Sequence, residues 1–64
     1  MSVVYGRKWV IKTQQDFDEA MDTLEHDAFV AEMSDSYAVT RSEKREIKRQ
    51  LDDVTRQAKE VGLM

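Results

Sequence analysis

The chain has 64 residues, of which 36% are charged, and its formal net charge is −3. It contains no cysteine, which excludes disulfide bonds and thiolate metal sites. A chain of this length supports a single small domain, residues 1–64, and so small a core commonly depends on a partner or a second copy for stability.

The first predicted element is a short N-terminal β-strand or a very small β-hairpin. Residues 3–11 are rich in strand-forming side chains on both sides of Gly6, a residue that permits a bulge or a tight turn. Trp9 and Ile11 would either pack over the helices that follow or leave a strand edge that another chain extends. The segment lacks the long apolar stretch of a signal peptide or a membrane span, so we expect a cytoplasmic protein without membrane contact.

Two heptad-like patterns predict an antiparallel helical hairpin with helices over residues 14–33 and 41–61, and hence a mainly α fold. The apolar residues recur at alternating steps of four and three, which places them on one side of each helix. They are Phe17, Met21, Leu24, Ala28 and Ala31 in the first helix and Ile47, Leu51, Val54, Ala58 and Val61 in the second. Ser34-Asp35-Ser36 lies between the two patterns and is typical of a turn.

Capping signals mark the ends of both helices. Thr13 is followed three residues later by Asp16, which predicts the N-terminus of the first helix. Thr40 and Glu43 form a complete capping box, so the second helix is predicted to begin after Thr40. Gly62 stands where a residue in the left-handed conformation commonly ends a helix.

The end of the first predicted helix is apolar on nearly every side, at Phe29, Val30 and Met33. Either residues 37–39 fold back and cover Phe29 and Met33, or these side chains form an interface with another subunit. The second interpretation predicts a homodimer in which two hairpins build a four-helix core.

Charge is distributed unevenly between the two predicted helices. Residues 14–35 contain eight carboxylates and no lysine or arginine, whereas residues 41–60 contain seven cations and five acids. Four of the carboxylates follow one flank of the first helix, and we call them the acidic ridge: Asp18, Asp22, Glu25 and Glu32. The basic start of the second helix either neutralises this flank or leaves it exposed for a cationic partner.

The sequence contains no signature of catalysis. A nucleophile paired with a base, a cluster of metal ligands and a glycine-rich phosphate loop are all missing, so we predict neither an enzyme nor a cofactor or metal site. His26, the single histidine, falls opposite the apolar side of its helix, where we expect it to be solvated. Direct nucleic-acid binding is disfavoured because the net charge is negative and Glu43 and Glu46 interrupt the basic stretch.

The small size, the acidic run from Asp16 to Asp35 and the capped hairpin together resemble small phage-encoded anti-defence proteins, such as anti-CRISPR and anti-restriction inhibitors. That resemblance implies an inhibitor in the cytoplasm of a bacterial host that imitates the charge of nucleic acid. The modest net charge and the mixed second helix differ from the strongest DNA mimics and favour a contact through one acidic side only. No diagnostic motif supports the resemblance, so it assigns no functional residue.

We therefore predict a non-catalytic inhibitor or adaptor that docks its acidic helix on another protein with a basic surface, of the kind that binds nucleic acid. The predicted contacts are the acidic ridge and three apolar anchors, Trp9, Phe29 and Tyr37. The alternative prediction is a small dimeric structural or regulatory scaffold that assembles through apolar helix faces.

Overall fold

The computed structural model describes residues 3–63. Two helices, α1 (Gln14–Glu32) and α2 (Tyr37–Glu60), pack together as an antiparallel hairpin about 39 Å long. Residues 3–12, which we call the strap, have no regular secondary structure and are bonded to side chains along α2. The predicted mainly α fold with a helical hairpin is confirmed. No helix within residues 3–63 is long and apolar enough to cross a membrane.

Helix α1 begins at the predicted capping box. The Thr13 hydroxyl accepts a hydrogen bond from the backbone N–H of Asp16 at 3.2 Å, and the Asp16 carboxylate accepts from the backbone N–H of Thr13 at 3.2 Å. Both bonds satisfy donors that the start of a helix otherwise leaves free. The observed end at Glu32 lies one residue before the predicted one.

Helix α2 begins one turn earlier than predicted, so the assignment of its start to the capping box at Thr40 was wrong. Ser36 is the N-cap and accepts from the backbone N–H of Val39 at 3.4 Å. Thr40 lies inside the helix, and its hydroxyl donates to the carbonyl of Ala31 at 2.9 Å. This bond ties the first turn of α2 to the last turn of α1, so Thr40 serves the packing of the two helices.

The predicted N-terminal strand or hairpin was also wrong, because no β-strand forms within residues 3–63. Backbone groups that would pair with a neighbouring strand bind side chains of α2 instead. The Gln57 carboxamide donates to the carbonyl of Trp9 at 2.7 Å and accepts from the N–H of Ile11 at 2.9 Å. It thereby takes the place of a peptide group in an adjacent strand. Gly6, with φ at 73°, supplies the turn near the start of the strap.

The core lies between the two helices and beneath the strap. Its buried apolar residues are Val3, Ile11, Ala20, Leu24, Ala31, Ile47, Val54 and Ala58. Only 2% of Ile11 is exposed, which confirms that the strap packs over the helices. The predicted seam positions Phe17, Met21 and Ala28 are half-buried beside this core, because α1 must contact both α2 and the strap.

Replacing Gln57 with alanine should release the end of the strap that leads into α1. The carbonyl of Trp9 and the N–H of Ile11 would each lose a partner, so we expect a loss of about 1–3 kcal/mol in the free energy of unfolding. Urea denaturation and the emission maximum of Trp9, the single tryptophan, would measure the effect. Gln15→Ala, which removes an exposed glutamine of α1, is the matched control, and an equal loss in both variants would contradict the role of Gln57.

Candidate protein-binding surfaces

The acidic ridge lies on the solvent side of α1. Asp18, Asp22 and Glu25 are exposed, and none of them forms an ion pair within residues 3–63. Glu32 is the exception, since its carboxylate lies 3.1 Å from the ammonium of Lys44. The alternative interpretation was that cations of α2 neutralise the ridge. Within residues 3–63 this is true of one of the four carboxylates, Glu32.

Two of the four arginines of α2, Arg49 and Arg56, are paired within their own helix. The Arg49 guanidinium contacts the carboxylate of Glu46 at 2.7 Å. Arg56 contacts the carboxylates of Asp53 at 2.6 Å and Glu60 at 2.9 Å. Since these partners lie three or four residues away on the same helix, the guanidinium groups remain on the α2 side of the molecule. Arg49 and Arg56 therefore contribute no counter-charge to α1, and Arg41, Arg45 and Lys48 form no ion pair within residues 3–63.

The remaining carboxylates of α1 have other roles. Asp16 caps the helix, and Glu19 accepts a hydrogen bond from the Gln15 side chain at 3.3 Å. Asp27 is buried between the helices. The eight carboxylates counted in the sequence therefore do not form one continuous surface, and the exposed ridge is the part of them that a partner could contact.

Three large apolar residues near the turn end of the hairpin, Phe29, Met33 and Tyr37, are exposed, and we call them the apolar patch. The exposed fractions of these residues are 63%, 69% and 80%. The interpretation that residues 37–39 fold back over Phe29 and Met33 was wrong, because residues 37 and 38 belong to the first turn of α2 and are exposed. The patch thus remains available to a partner or to a second copy.

Trp9, the third predicted anchor, is not part of this patch. Its indole N–H donates to the Gln50 side chain at 2.9 Å, and the Arg7 guanidinium lies 3.9 Å from the centre of its ring. Gln50 is thirteen residues along α2 from Tyr37, which corresponds to roughly 20 Å. The structure therefore brings Phe29 and Tyr37 to one end of the molecule and holds Trp9 in the contact between the strap and α2.

A repeated unit of three side chains on α2 holds the strap, and it was missed in the sequence. In each unit an acidic residue accepts hydrogen bonds from an arginine three positions later and a glutamine four positions later, and the glutamine then binds the strap backbone. The units are Glu46–Arg49–Gln50 and Asp53–Arg56–Gln57. The sequence does show this repeat, because an acid, an arginine and a glutamine each recur seven residues later, and it could have indicated a shared role.

Glu46 is the most strongly perturbed carboxylate in this contact. The Arg49 guanidinium, the Gln50 amide and the backbone N–H of Gly6 all donate to it, with the arginine first in importance, and they lower the pKa of Glu46 to about 2. The same bond raises the pKa of Arg49. Glu46 is thus held as a carboxylate that connects the strap to α2.

Within residues 3–63, no three histidine, cysteine, aspartate or glutamate side chains lie close enough to hold a metal ion. His26 is exposed, as predicted. No protein-family model, curated protein or solved structure matches the chain.

Stability should fall at low pH through Glu46. Because its pKa in the folded chain is about 2, below the ordinary 4.5, the stabilisation is complete above pH 4.5 and is lost as the pH falls towards 2. In Glu46→Gln we expect lower stability at neutral pH and a shallower decline across that interval. Thermal denaturation followed by circular dichroism at several pH values would measure both. Glu19→Gln controls for the loss of one negative charge, and a decline in Glu46→Gln as steep as that of the unmodified chain would contradict the assignment.

Proposed function

We propose that this protein is a non-catalytic inhibitor or adaptor that docks the acidic ridge of α1 against a basic surface of another protein. The observation that supports this most strongly is the lack of internal counter-charges. Asp18, Asp22 and Glu25 are exposed and form no ion pair within residues 3–63, although the chain contains ten lysines and arginines.

The arrangement of these charges has a free-energy cost in the isolated chain. Carboxylates three or four residues apart on one helix repel each other by a few tenths of a kcal/mol per pair. The cations of α2 could have offset this repulsion, but Arg49 and Arg56 pair within α2, and within residues 3–63 Lys44 alone pairs with a carboxylate of α1, Glu32. A basic partner would remove the repulsion and gain favourable contacts, and the anionic side would also speed the encounter at low salt.

The spacing of the ridge supports a partner surface that ordinarily binds nucleic acid. Asp18, Asp22 and Glu25 span seven residues, or about 10 Å of helix. Successive carboxylates are thus about 4.5–6 Å apart along the helix axis, of the same order as the 3.4 Å between phosphates on one DNA strand. A phage anti-defence protein that occupies the nucleic-acid groove of a bacterial nuclease is therefore the specific role we propose, acting in the host cytoplasm.

A second candidate function is a small dimeric scaffold or regulatory subunit. The observation that favours it is the exposure of Phe29, Met33 and Tyr37 at the turn end of the hairpin. Apolar side chains of this size in one patch are typical of a surface that another subunit covers. In this function the patch would be the main contact and the acidic ridge would only keep the assembly soluble.

Charge reversal on the ridge tests the first function. In Asp22→Lys/Glu25→Lys we expect salt-sensitive capture of host proteins to disappear while thermal stability is kept or rises, because repulsion along α1 is relieved. Affinity capture at low and high salt, with identification of the captured proteins, would measure this. Asp35→Lys/Asp52→Lys reverses two exposed carboxylates away from the ridge and is the matched control. Equal capture by both variants would refute a role for the ridge.

The scaffold function makes a different prediction. A dimer built on the apolar patch should dissociate in Phe29→Asp, whereas ridge reversal should leave its mass unchanged. Light scattering at micromolar concentration would measure the mass. An unmodified chain that scatters as a 7.5 kDa monomer with full helicity would rule out the scaffold function.

A further inference from the structure

Glu43, in the second turn of α2, is a buried carboxylate without a partner. Only 3% of the residue is exposed. Its carboxyl group nevertheless forms no hydrogen bond and no ion pair within residues 3–63. A charge that is removed from water without a compensating bond is costly, and a ligand of opposite charge would relieve that cost.

Glu43 lines an open cleft of about 280 Å³ at the turn end of the hairpin. Val30, Met33 and Val39 form the apolar walls, and Ser34 completes the lining. Glu43 is the most deeply buried of these five residues. The Ser34 hydroxyl accepts a backbone N–H of the turn at 3.3 Å. The cleft therefore combines aliphatic walls with one unpaired carboxylate.

We propose that this cleft binds the side chain of a lysine from a partner protein. Lysine joins a flexible apolar stem to a compact ammonium group, and each part has a counterpart here. The stem would pack between the walls formed by Val30, Met33 and Val39, while the ammonium would pair with the Glu43 carboxylate. The nearest cation on the same helix, Lys44, already pairs with Glu32 and leaves Glu43 unneutralised.

This site is separate from the three unpaired carboxylates of the acidic ridge. Asp18, Asp22 and Glu25 are exposed along α1, whereas the cleft lies at the turn and is lined by Glu43 of α2. The inference rests on the proposed function only in that a basic partner would supply the lysine. A small-molecule probe therefore tests the cleft without reference to the partner.

The experiment is a titration of the full chain with N-acetyl-lysine methylamide, followed by methyl NMR. We expect the shifts to concentrate on Val30, Met33 and Val39, and the affinity to fall at least about ten-fold in Glu43→Gln. The norleucine analogue, which keeps an apolar stem but lacks the ammonium, should cause no comparable shifts. Asp35→Asn, which removes an exposed carboxylate of the turn, should bind the probe as the unmodified chain does. Ridge reversal should also leave this binding unchanged.

Other outcomes would overturn the inference. Equal binding by Glu43→Gln would show that the carboxylate is not the contact, and tighter binding of the arginine analogue would assign the cleft to a guanidinium. Shifts of the same methyl groups with protein concentration alone would assign the cleft to a second copy. The carboxyl carbon of Glu43 in the unmodified chain gives a readout that does not depend on any variant, and an unchanged signal at saturating probe would equally refute the proposal.

Discussion

The pairing of arginines with acids inside α2 is the interaction on which the rest of the structure depends. By binding Arg49, Glu46 is fixed where it can also accept the amide of Gln50 and the N–H of Gly6. Asp53 similarly binds both an arginine and the glutamine of its unit. Each glutamine is thereby oriented towards the strap backbone. Since the strap carries Ile11 into the core, these charge pairs on one helix support the segment that covers the core.

The same pairing separates the two sides of the molecule. Arg49 and Arg56 bond along α2, and Lys44 reaches only Glu32, so Asp18, Asp22 and Glu25 have no counter-charge within residues 3–63. A small chain without disulfides thus closes its core with polar side chains of α2 rather than with a third helix or a sheet. Short chains have few such arrangements available, because each apolar face must be covered by the remaining residues.

Much of the fold could be predicted from the sequence, and the failures have identifiable causes. The heptad steps and the Thr13 cap depend on neighbours within one turn, so local reasoning found them. The start of α2 was predicted wrongly because Ser36 and Thr40 can both cap a helix. Ser36 is the N-cap in the structure, and the Thr40 hydroxyl binds the carbonyl of Ala31 instead. That contact joins residues nine positions apart and leaves no trace in local sequence. The strap contains many strand-forming residues, which is why a strand was predicted. Its backbone groups instead form hydrogen bonds with side chains of α2, a helix far away in the sequence.

The candidate site shows the same limit. Helical spacing predicts that the ridge carboxylates lie on one flank of α1. Whether they form ion pairs depends on the positions of the cations of α2, which the spacing does not give. The sequence showed an excess of apolar residues at Phe29 and Met33. That no other part of the described chain covers them could be seen only in the structure. For Glu43 the sequence led to a different prediction, because its spacing from Thr40 assigned it to a capping box. In the structure Glu43 is buried inside α2.

The segregation of charge also gives the molecule a permanent electric dipole. Residues 14–35 carry all of the excess negative charge. The strap has three cations and no acid, and residues 41–60 also have more cations than acids. The acidic ridge lies on α1, whereas the cations lie on the strap and α2, in a body only about 15–16 Å thick. Near a charged surface such a body experiences a torque, so it turns its α1 side towards a positive surface before any atom touches. The fold therefore biases which side of the molecule faces such a surface.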